Sequence, residues 1–353
     1  MTRAFVFEGL PSRVIFGVGA LGKLGAELDR LGLKRALVLA TPPQRDQAAD
    51  VQKQLGPRAV GLHDQAVMHV PVDVAKAGEK AARDVRADCT VAVGGGSTIG
   101  LAKAIALSMG LPVVAVPTTF AGSEMTPIWG LTEGSVKRTG RDLKVLPRLV
   151  VYDPNLTLTL PAAIAGPSGL NAIAHCVEAL YAENANPIVS LMAEEGIRAL
   201  NASLPTVVAR GDDLEARSEA LYGAWLAGCS LGMVGMALHH KLCHTLGGTF
   251  NLPHAETHSI VLPYATAYNR DAAPDAMARI RRALGGADDA ARGLYDLGRK
   301  VGAPKALAEI GLKVSDLDRA AEIATQNPYY NPRPVTRDGV RVLLEDAFAG
   351  HRP

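Results

Sequence analysis

Two textures of hydrophobic and polar positions divide this chain. In the first half, short runs rich in Val and Ala alternate with longer amphipathic stretches. RALVLA (Arg35 to Ala40), CTVAVGGG (Cys89 to Gly96) and LPVVAVPTT (Leu111 to Thr119) predict buried strands, each closed by Gly, Pro or Thr. Between them, ALGKLGAELDRLG (Ala20 to Gly32) and VDVAKAGEKAARDV (Val72 to Val85) space their apolar residues three and four apart, the period of a helix. Strands alternating with helices imply a parallel α/β sheet. After LVVYDPNL (Leu149 to Leu156) the pattern changes, and from Pro161 onward almost every segment has helical period. NAIAHCVEALYA, PIVSLMAEEGIRALNASL and LEARSEALYGAWLAGCSLGMVGMALHHKLCHTL are each predicted helical throughout. The expected organisation is an α/β domain over residues 1–160 and an all-α domain over 161–353, joined near Leu160.

Composition narrows the function. A chain of 353 residues exceeds what one core usually supports, which agrees with two domains. With 48% hydrophobic and 20% charged residues there is apolar material for both. The formal charge of +2 is made of interspersed Lys/Arg and Asp/Glu, without the basic stripe that binds a phosphate backbone, so nucleic acid is not an expected partner. MTRAFVFEGLPSRVIFG lacks the apolar run of a signal peptide, and no window reaches the roughly 18 uninterrupted apolar residues of a membrane span, so a cytoplasmic protein is expected. Cys89, Cys176, Cys229 and Cys243 form no CxxC pair and are read as small apolar filler in a reducing compartment.

Two turns suggest a nucleotide. VAVGGGSTIGLAKAIAL (Val91 to Leu107) passes from strand to helix through Gly94, Gly95, Gly96, Ser97 and Thr98. Glycines there admit a phosphate without a Cβ in the way, and the helix start offers free N–H groups and the positive end of its dipole. The pattern is neither GxGxxG nor a P-loop, so taken alone it favours a phosphate only moderately over a tight strand-to-helix turn that binds nothing. VPTTFAGSEMT (Val116 to Thr126) follows the next strand and brings Thr118, Thr119 and Ser123 to the same sheet edge, where α/β folds bind nucleotides. In the helical half, HKLCHTLGGTFNLPH places His240, His244 and His254 close together in a chain of nine histidines. Asn171 and His175, four apart on one predicted helix, share a face and can converge with them.

These motifs together resemble the iron-dependent (group III) alcohol dehydrogenase superfamily over nearly the whole length. The likeness rests on FGVGALGKLG, GGGSxxxxAK (Gly94 to Lys103), PTTFAGSE (Pro117 to Glu124), LPRLVVYDP (Leu146 to Pro154), SGLNAIAHCVEALYA (Ser168 to Ala182) and HKLCHTLGGTFNLPHAETHSIVLP (His240 to Pro263). It implies a Rossmann-like dinucleotide-binding domain followed by a helical one, as in dehydroquinate synthase. It also implies NADH or NADPH as cofactor, and a metal held by an Asp and three His. Those metal positions are here Asn171, His175, His240 and His254, so the anionic ligand is replaced by a neutral amide. Two further departures accompany it: GGGSTIGLAK has Gly100 at an acidic position, and PHAETH has Ala255 and His258 where PHGxxN is usual. With NPYYNPRP (Asn327 to Pro334), these are similar to the maleylacetate reductase branch, which works without a catalytic metal.

That branch implies hydride addition to a carbon–carbon double bond conjugated to a ketone, on a small dicarboxylate from aromatic catabolism. Imidazoles would then stabilise the developing enolate and supply a proton. His244 and His254 are the expected acid and polarising groups, with His175, His240 and Asn171 shaping the site. Lys241 and Arg333 are candidates for the substrate carboxylates. His239, adjacent to His240, is expected to point about 100° away around the helix and to be structural; Tyr329 and Tyr330 are read as packing. Thr41, after LVLA, stands where many relatives carry an Asp that would repel the 2′-phosphate of NADPH, so both cofactors remain open. Lys144 is counted with the cofactor residues, and a homodimer is the expected assembly. Two rival readings are a metal-dependent alcohol or polyol dehydrogenase that tolerates Asn171, and a noncatalytic NAD-binding protein.

Overall fold

A computed structural model describes residues 5–134 and 136–353. Met1–Ala4, the head of the amino-terminal stretch read above for a signal, lie outside the described residues. The chain forms two compact units: Leu10–Leu160, and Pro161–Pro353 together with residues 5–9. Phe5–Gly9 therefore belongs with the helical unit and not with the sheet unit, a difference from a simple division at residue 160.

The sheet unit is built on six parallel strands: β1 (Arg13–Phe16), β2 (Ala36–Leu39), β3 (Ala59–His63), β4 (Cys89–Gly94), β5 (Val113–Pro117) and β8 (Leu149–Tyr152). Their order across the sheet is β1-β8-β5-β4-β2-β3. β2, β4, β5 and β8 are buried along their whole length, which is why they read as unbroken apolar runs and not as alternating ones. Helices α1 (Leu24–Arg30), α2 (Arg45–Leu55), α3 (Val72–Asp84) and α4 (Gly96–Met109) make the crossovers. Leu24 and Leu28 of α1 and Val51 and Leu55 of α2 pack with Val38, Val91, Val114 and Val151 in one core. A separate antiparallel hairpin, β6 (Ile128–Glu133) with β7 (Val136–Arg141), departs from the sheet between β5 and β8.

The strand order fixes where a ligand can bind. The chain moves outward from β2 to β3, then returns to lay β4 on the other side of β2 and continues through β5 and β8. The direction of winding therefore reverses between β2 and β4, and the crevice outside their carboxyl ends is the position where open α/β sheets bind dinucleotides.

The helical unit contains α5 (Ala162–Leu180), α6 (Pro187–Ala209), α7 (Leu214–Met233), α8 (Leu238–Phe250), α9 (His254–Tyr268), α10 (Pro274–Ala283), α11 (Ala290–Lys300), α12 (Leu317–Thr325) and α13 (Arg337–Ala349). One apolar core joins Leu238, Leu242 and Leu246 of α8 and Val261 and Tyr264 of α9 to Leu317 of α12 and Leu344 of α13. The stretch expected as one long helix from Leu214 onward is broken: Val234 is extended and the chain turns by 95° before α8 begins. Gly232 and Gly235 flank this break, and glycine weakens a helix interior by roughly 1 kcal/mol relative to alanine. Among the described residues no single helix is long and apolar enough to cross a membrane.

Candidate active site

In the sheet unit, the glycine turn is shaped by its neighbours. Gly94 ends β4 with φ +155°, and a Cβ there would lie 2.4 Å from Thr98 Oγ1 and 2.7 Å from Gln44 Oε1. A Cβ on Gly95 would meet the Thr119 side chain at 2.8 Å. Gly94 and Gly95 are thus required by close approach, and α4 begins at Gly96, which is exposed. Thr98 is fully buried, and its hydroxyl has no hydrogen-bond partner. Across the β2/β4 crevice the Thr41 hydroxyl donates to Gln44 Oε1 at 3.1 Å, and Gln44 Nε2 donates to Thr118 Oγ1. Gln44 thereby ties Thr41, after β2, to Thr118, after β5, and Thr119 abuts the turn between them. Sequence reasoning passed over this glutamine.

Ser123 sits half-buried on a 3-10 turn, and its carbonyl accepts from Lys103 Nζ at 2.7 Å. Lys103 also donates to Thr126 Oγ1 at 2.9 Å and to the Ile128 carbonyl at 2.8 Å. Burial pulls its ammonium down to about 7, opposed by the nearby Glu124 carboxyl. From the middle of α4 it anchors the loop that follows Thr118 and Thr119. Lys144 lies exposed on the turn Leu143–Val145, where its backbone N–H donates to Asp142 Oδ1 at 2.8 Å. The structure therefore brings Gly94–Thr98, Thr118, Thr119 and Thr41 to one edge.

In the helical unit, Asn171, His175 and Glu178 fall on one face of α5, at the four- and three-residue spacings of a helix. Glu178 is fully buried and acts at the start of α8. Its carboxylate accepts from the backbone N–H of His239 at 2.7 Å, of Ala237 at 2.9 Å and of His240 at 3.4 Å, and contacts His240 Nδ1 at 2.6 Å. An anion at a helix start satisfies orphan N–H groups and complements the dipole, which is why the chain breaks at Val234–Ala237 and restarts at Leu238. The acid also fixes tautomers. Because Glu178 accepts, His240 carries its proton on Nδ1, and its Nε2 becomes an acceptor for His175 Nδ1 at 2.8 Å. His175 Nε2 in turn faces the Asn171 amide nitrogen at 3.4 Å. Asn171 Oδ1 is buried without a hydrogen-bond partner.

The remaining histidines extend this cluster toward an accessible side. His244, one turn after His240, is exposed, with its ring centroid 6.1 Å from that of His240. His254 is half-buried, its ring 4.3 Å from that of His258 on the same helix. His258 stands 5.1 Å from His240 and connects the two halves. His239 is fully buried, its ring lies 5.2 Å from that of His240, and its Nε2 contacts His258 Nδ1 at 2.9 Å. The 100° step along α8 does separate His239 from His240, but α9 packs on α8 and closes the gap with His258. Burial, reinforced by the surrounding imidazoles, pushes both His239 and His258 well below the usual histidine range.

The carboxyl-terminal segment buttresses the cluster. Asn331 pairs its side-chain amide with Asn269 at 2.7 and 3.0 Å, and its Oδ1 also accepts from the Leu238 N–H at 3.4 Å. Arg333 stacks on Tyr268 at 4.3 Å and is engaged structurally, whereas Lys241 lies 5.6 Å over Tyr329.

Two family models match the sequence: iron-containing alcohol dehydrogenase over residues 11–154, and the carboxyl-terminal region of the same family over 166–348. The chain belongs to the iron-containing alcohol dehydrogenase family. Within it, the chain is 57% identical to a maleylacetate reductase of Burkholderia cepacia over 350 residues, 99% of both chains. It is also 57% identical over 349 residues to that of Sphingobium indicum, again 99% of both. The solved structure of maleylacetate reductase from Rhizobium sp. superposes with a TM-score of 0.95 at 52% identity, covering 100% of each chain. The chain is an NAD(P)H-dependent oxidoreductase, with a parallel α/β sheet and helical regions in the manner of its family.

Proposed function

We propose that this enzyme reduces maleylacetate to 3-oxoadipate with NADH or NADPH, and does so without a catalytic metal. The observation that carries the metal-free part is the donor set. Of the four positions where the family would hold its iron, one is the neutral Asn171, whose Oδ1 is buried without a hydrogen-bond partner. A neutral amide oxygen holds a divalent ion less tightly than the carboxylate it replaces, so this position favours chemistry carried by the imidazoles themselves. A nicotinamide dinucleotide does fit the sheet edge. Gly96 is exposed, with only Ala121 Cβ, at 3.9 Å, near the place a Cβ would take, α4 presents its amino end there, and Thr41, Ser97, Thr118 and Thr119 supply hydroxyls. The cofactor supplies a hydride.

Reduction adds that hydride to the alkene carbon β to the ketone and a proton to the α carbon, through an enolate. The residues of this chain hold the negative charge and deliver the proton. His244 and His254 are the two cluster histidines with exposed or partly exposed rings, so they are the groups that polarise the ketone oxygen and protonate the α carbon. Glu178, His240 and His175 act behind them: the carboxylate fixes the tautomer of His240 and, through it, of His175. Lys241 is the candidate cation for a substrate carboxylate. We further propose that the enzyme acts as a cytoplasmic homodimer.

The test is NADH consumption with maleylacetate, with the product identified, in the wild type and in His244→Ala and His254→Ala. Each substitution is expected to lower kcat by about 10²–10³, the usual effect of removing one donor to a developing oxyanion, with NADH affinity nearly unchanged. Near-normal hydride transfer in both variants would remove these histidines from the mechanism.

A further inference from the structure

We propose that His239, Cys243 and His258 form a binding site for a soft or borderline transition-metal ion such as Zn²⁺, separate from the four positions where the family holds iron. His239 and Cys243 are four apart on α8 and share a face, and His258 meets them from α9. All three are buried, and one donor atom from each lies within 4.8 Å of the others. The separations are 2.9 Å from His239 Nε2 to His258 Nδ1 and 3.7 Å from Cys243 Sγ to His239 Nε2. Around a tetrahedral zinc with ordinary Zn–N and Zn–S bonds, the corresponding edges are roughly 3.3 Å between nitrogens and roughly 3.6 Å from nitrogen to sulfur. On these two edges an ion would enter with shifts of a few tenths of an ångström, and the third pair, Cys243 and His258, lies within 4.8 Å.

A second observation concerns the outward nitrogens. His239 Nδ1 and His258 Nε2 are buried and have no hydrogen-bond partner. These nitrogens face away from the proposed ion and can keep their protons when it binds, and the nearby carboxylate, Glu178, serves the start of α8 and His240 instead of these imidazoles. Two imidazoles and a thiol thus converge on one another without an acid to organise them. Thiolate with imidazole is a donor set for zinc or copper, and not for magnesium or calcium. On binding, the Cys243 thiol releases its proton and becomes the anionic ligand. Each imidazole stays neutral, with its N–H on the nitrogen facing away from the ion. The ion would clip α8 to α9 directly behind the catalytic histidines.

Co²⁺ added to the chelator-treated full-length enzyme provides the probe, because a cobalt–thiolate bond gives a charge-transfer band in the near ultraviolet. The expected result is a band that saturates at one equivalent, accompanied by a rise in melting temperature that grows with metal concentration. The band should be lost in Cys243→Ser, lost or strongly weakened in His258→Phe, and retained in His175→Ala. Circular dichroism of each variant distinguishes loss of the site from loss of the fold. The proposal is overturned if the wild type gives no band, if the band survives Cys243→Ser, or if His175→Ala abolishes it in a folded protein.

Discussion

Glu178→Gln is the most informative single change, because it alters charge while preserving shape at the residue that organises the cluster. The carboxylate takes four donors, three of them through Oε2 and one, the His239 N–H, through Oε1. A glutamine can place its carbonyl oxygen at the Oε2 position and keep three contacts. Its NH₂ then faces the His239 N–H at 2.7 Å, a donor against a donor in a fully buried site. Losing a hydrogen bond to a charged group is worth about 1.5–3 kcal/mol, and leaving a buried N–H unsatisfied adds about 1–3 kcal/mol. Loss of the anion at the start of α8 contributes up to about 2 kcal/mol more. Allowing for overlap among these terms, unfolding free energy should fall by about 3–5 kcal/mol, the range seen when one partner of a buried charged pair is removed. The His240 tautomer is preserved, so kcat should fall by only about 10–100-fold, as for other residues that orient a site through its neighbours. Urea denaturation and steady-state kinetics on the same preparation measure both. A change in unfolding free energy below about 0.5 kcal/mol would refute the argument that this carboxylate holds α8 and the imidazole network.

Asn171→Asp should raise affinity for a divalent metal at the family's iron positions by restoring an anion beside three imidazoles, which calorimetric titration of Fe²⁺ or Zn²⁺ into a Cys243→Ser background would show; equal binding would mean that the amide was never limiting. Thr41→Asp should shift the ratio of kcat/KM toward NADH by repelling the 2′-phosphate of NADPH, and an unchanged ratio would place Thr41 away from the ribose. Because His239 and His258 are depressed in the folded state, the unfolded chain binds more protons below about 6.5, so stability is complete above that pH and is lost as pH falls through it. With two such groups the slope approaches about 2.7 kcal/mol per pH unit, and a melting temperature flat between pH values of about 7 and 5 would contradict it.

Much of the sheet unit could be read from the chain because β2, β4 and β5 are buried on both faces, which enforces short unbroken runs of Val and Ala bounded by turn residues. The hairpin β6–β7 was not anticipated: β7 is VKRTGR, whose polar alternation and glycine resemble a loop. The cluster was legible where a helical spacing marks it, as for Asn171 and His175. Glu178 carries the same signal, three residues after His175, yet a carboxylate on an apolar helix has no reason to be singled out until α8 is seen to begin against it. The contact of His239 with His258 was not legible, because angular position on one helix says nothing about what a neighbouring helix brings to the other side. Only the packing of α9 on α8 unites His258 with His239 and Cys243.

The most direct measurement follows NAD(P)H consumption with maleylacetate before and after exhaustive chelation, with metal content determined and 3-oxoadipate identified as product. The account predicts the same kcat in both preparations, because Glu178, His240 and His175 preset the imidazoles that do the work of a cation. Activity that disappears with the metal and returns on adding Fe²⁺ or Zn²⁺, in the wild type and in Cys243→Ser alike, would contradict it.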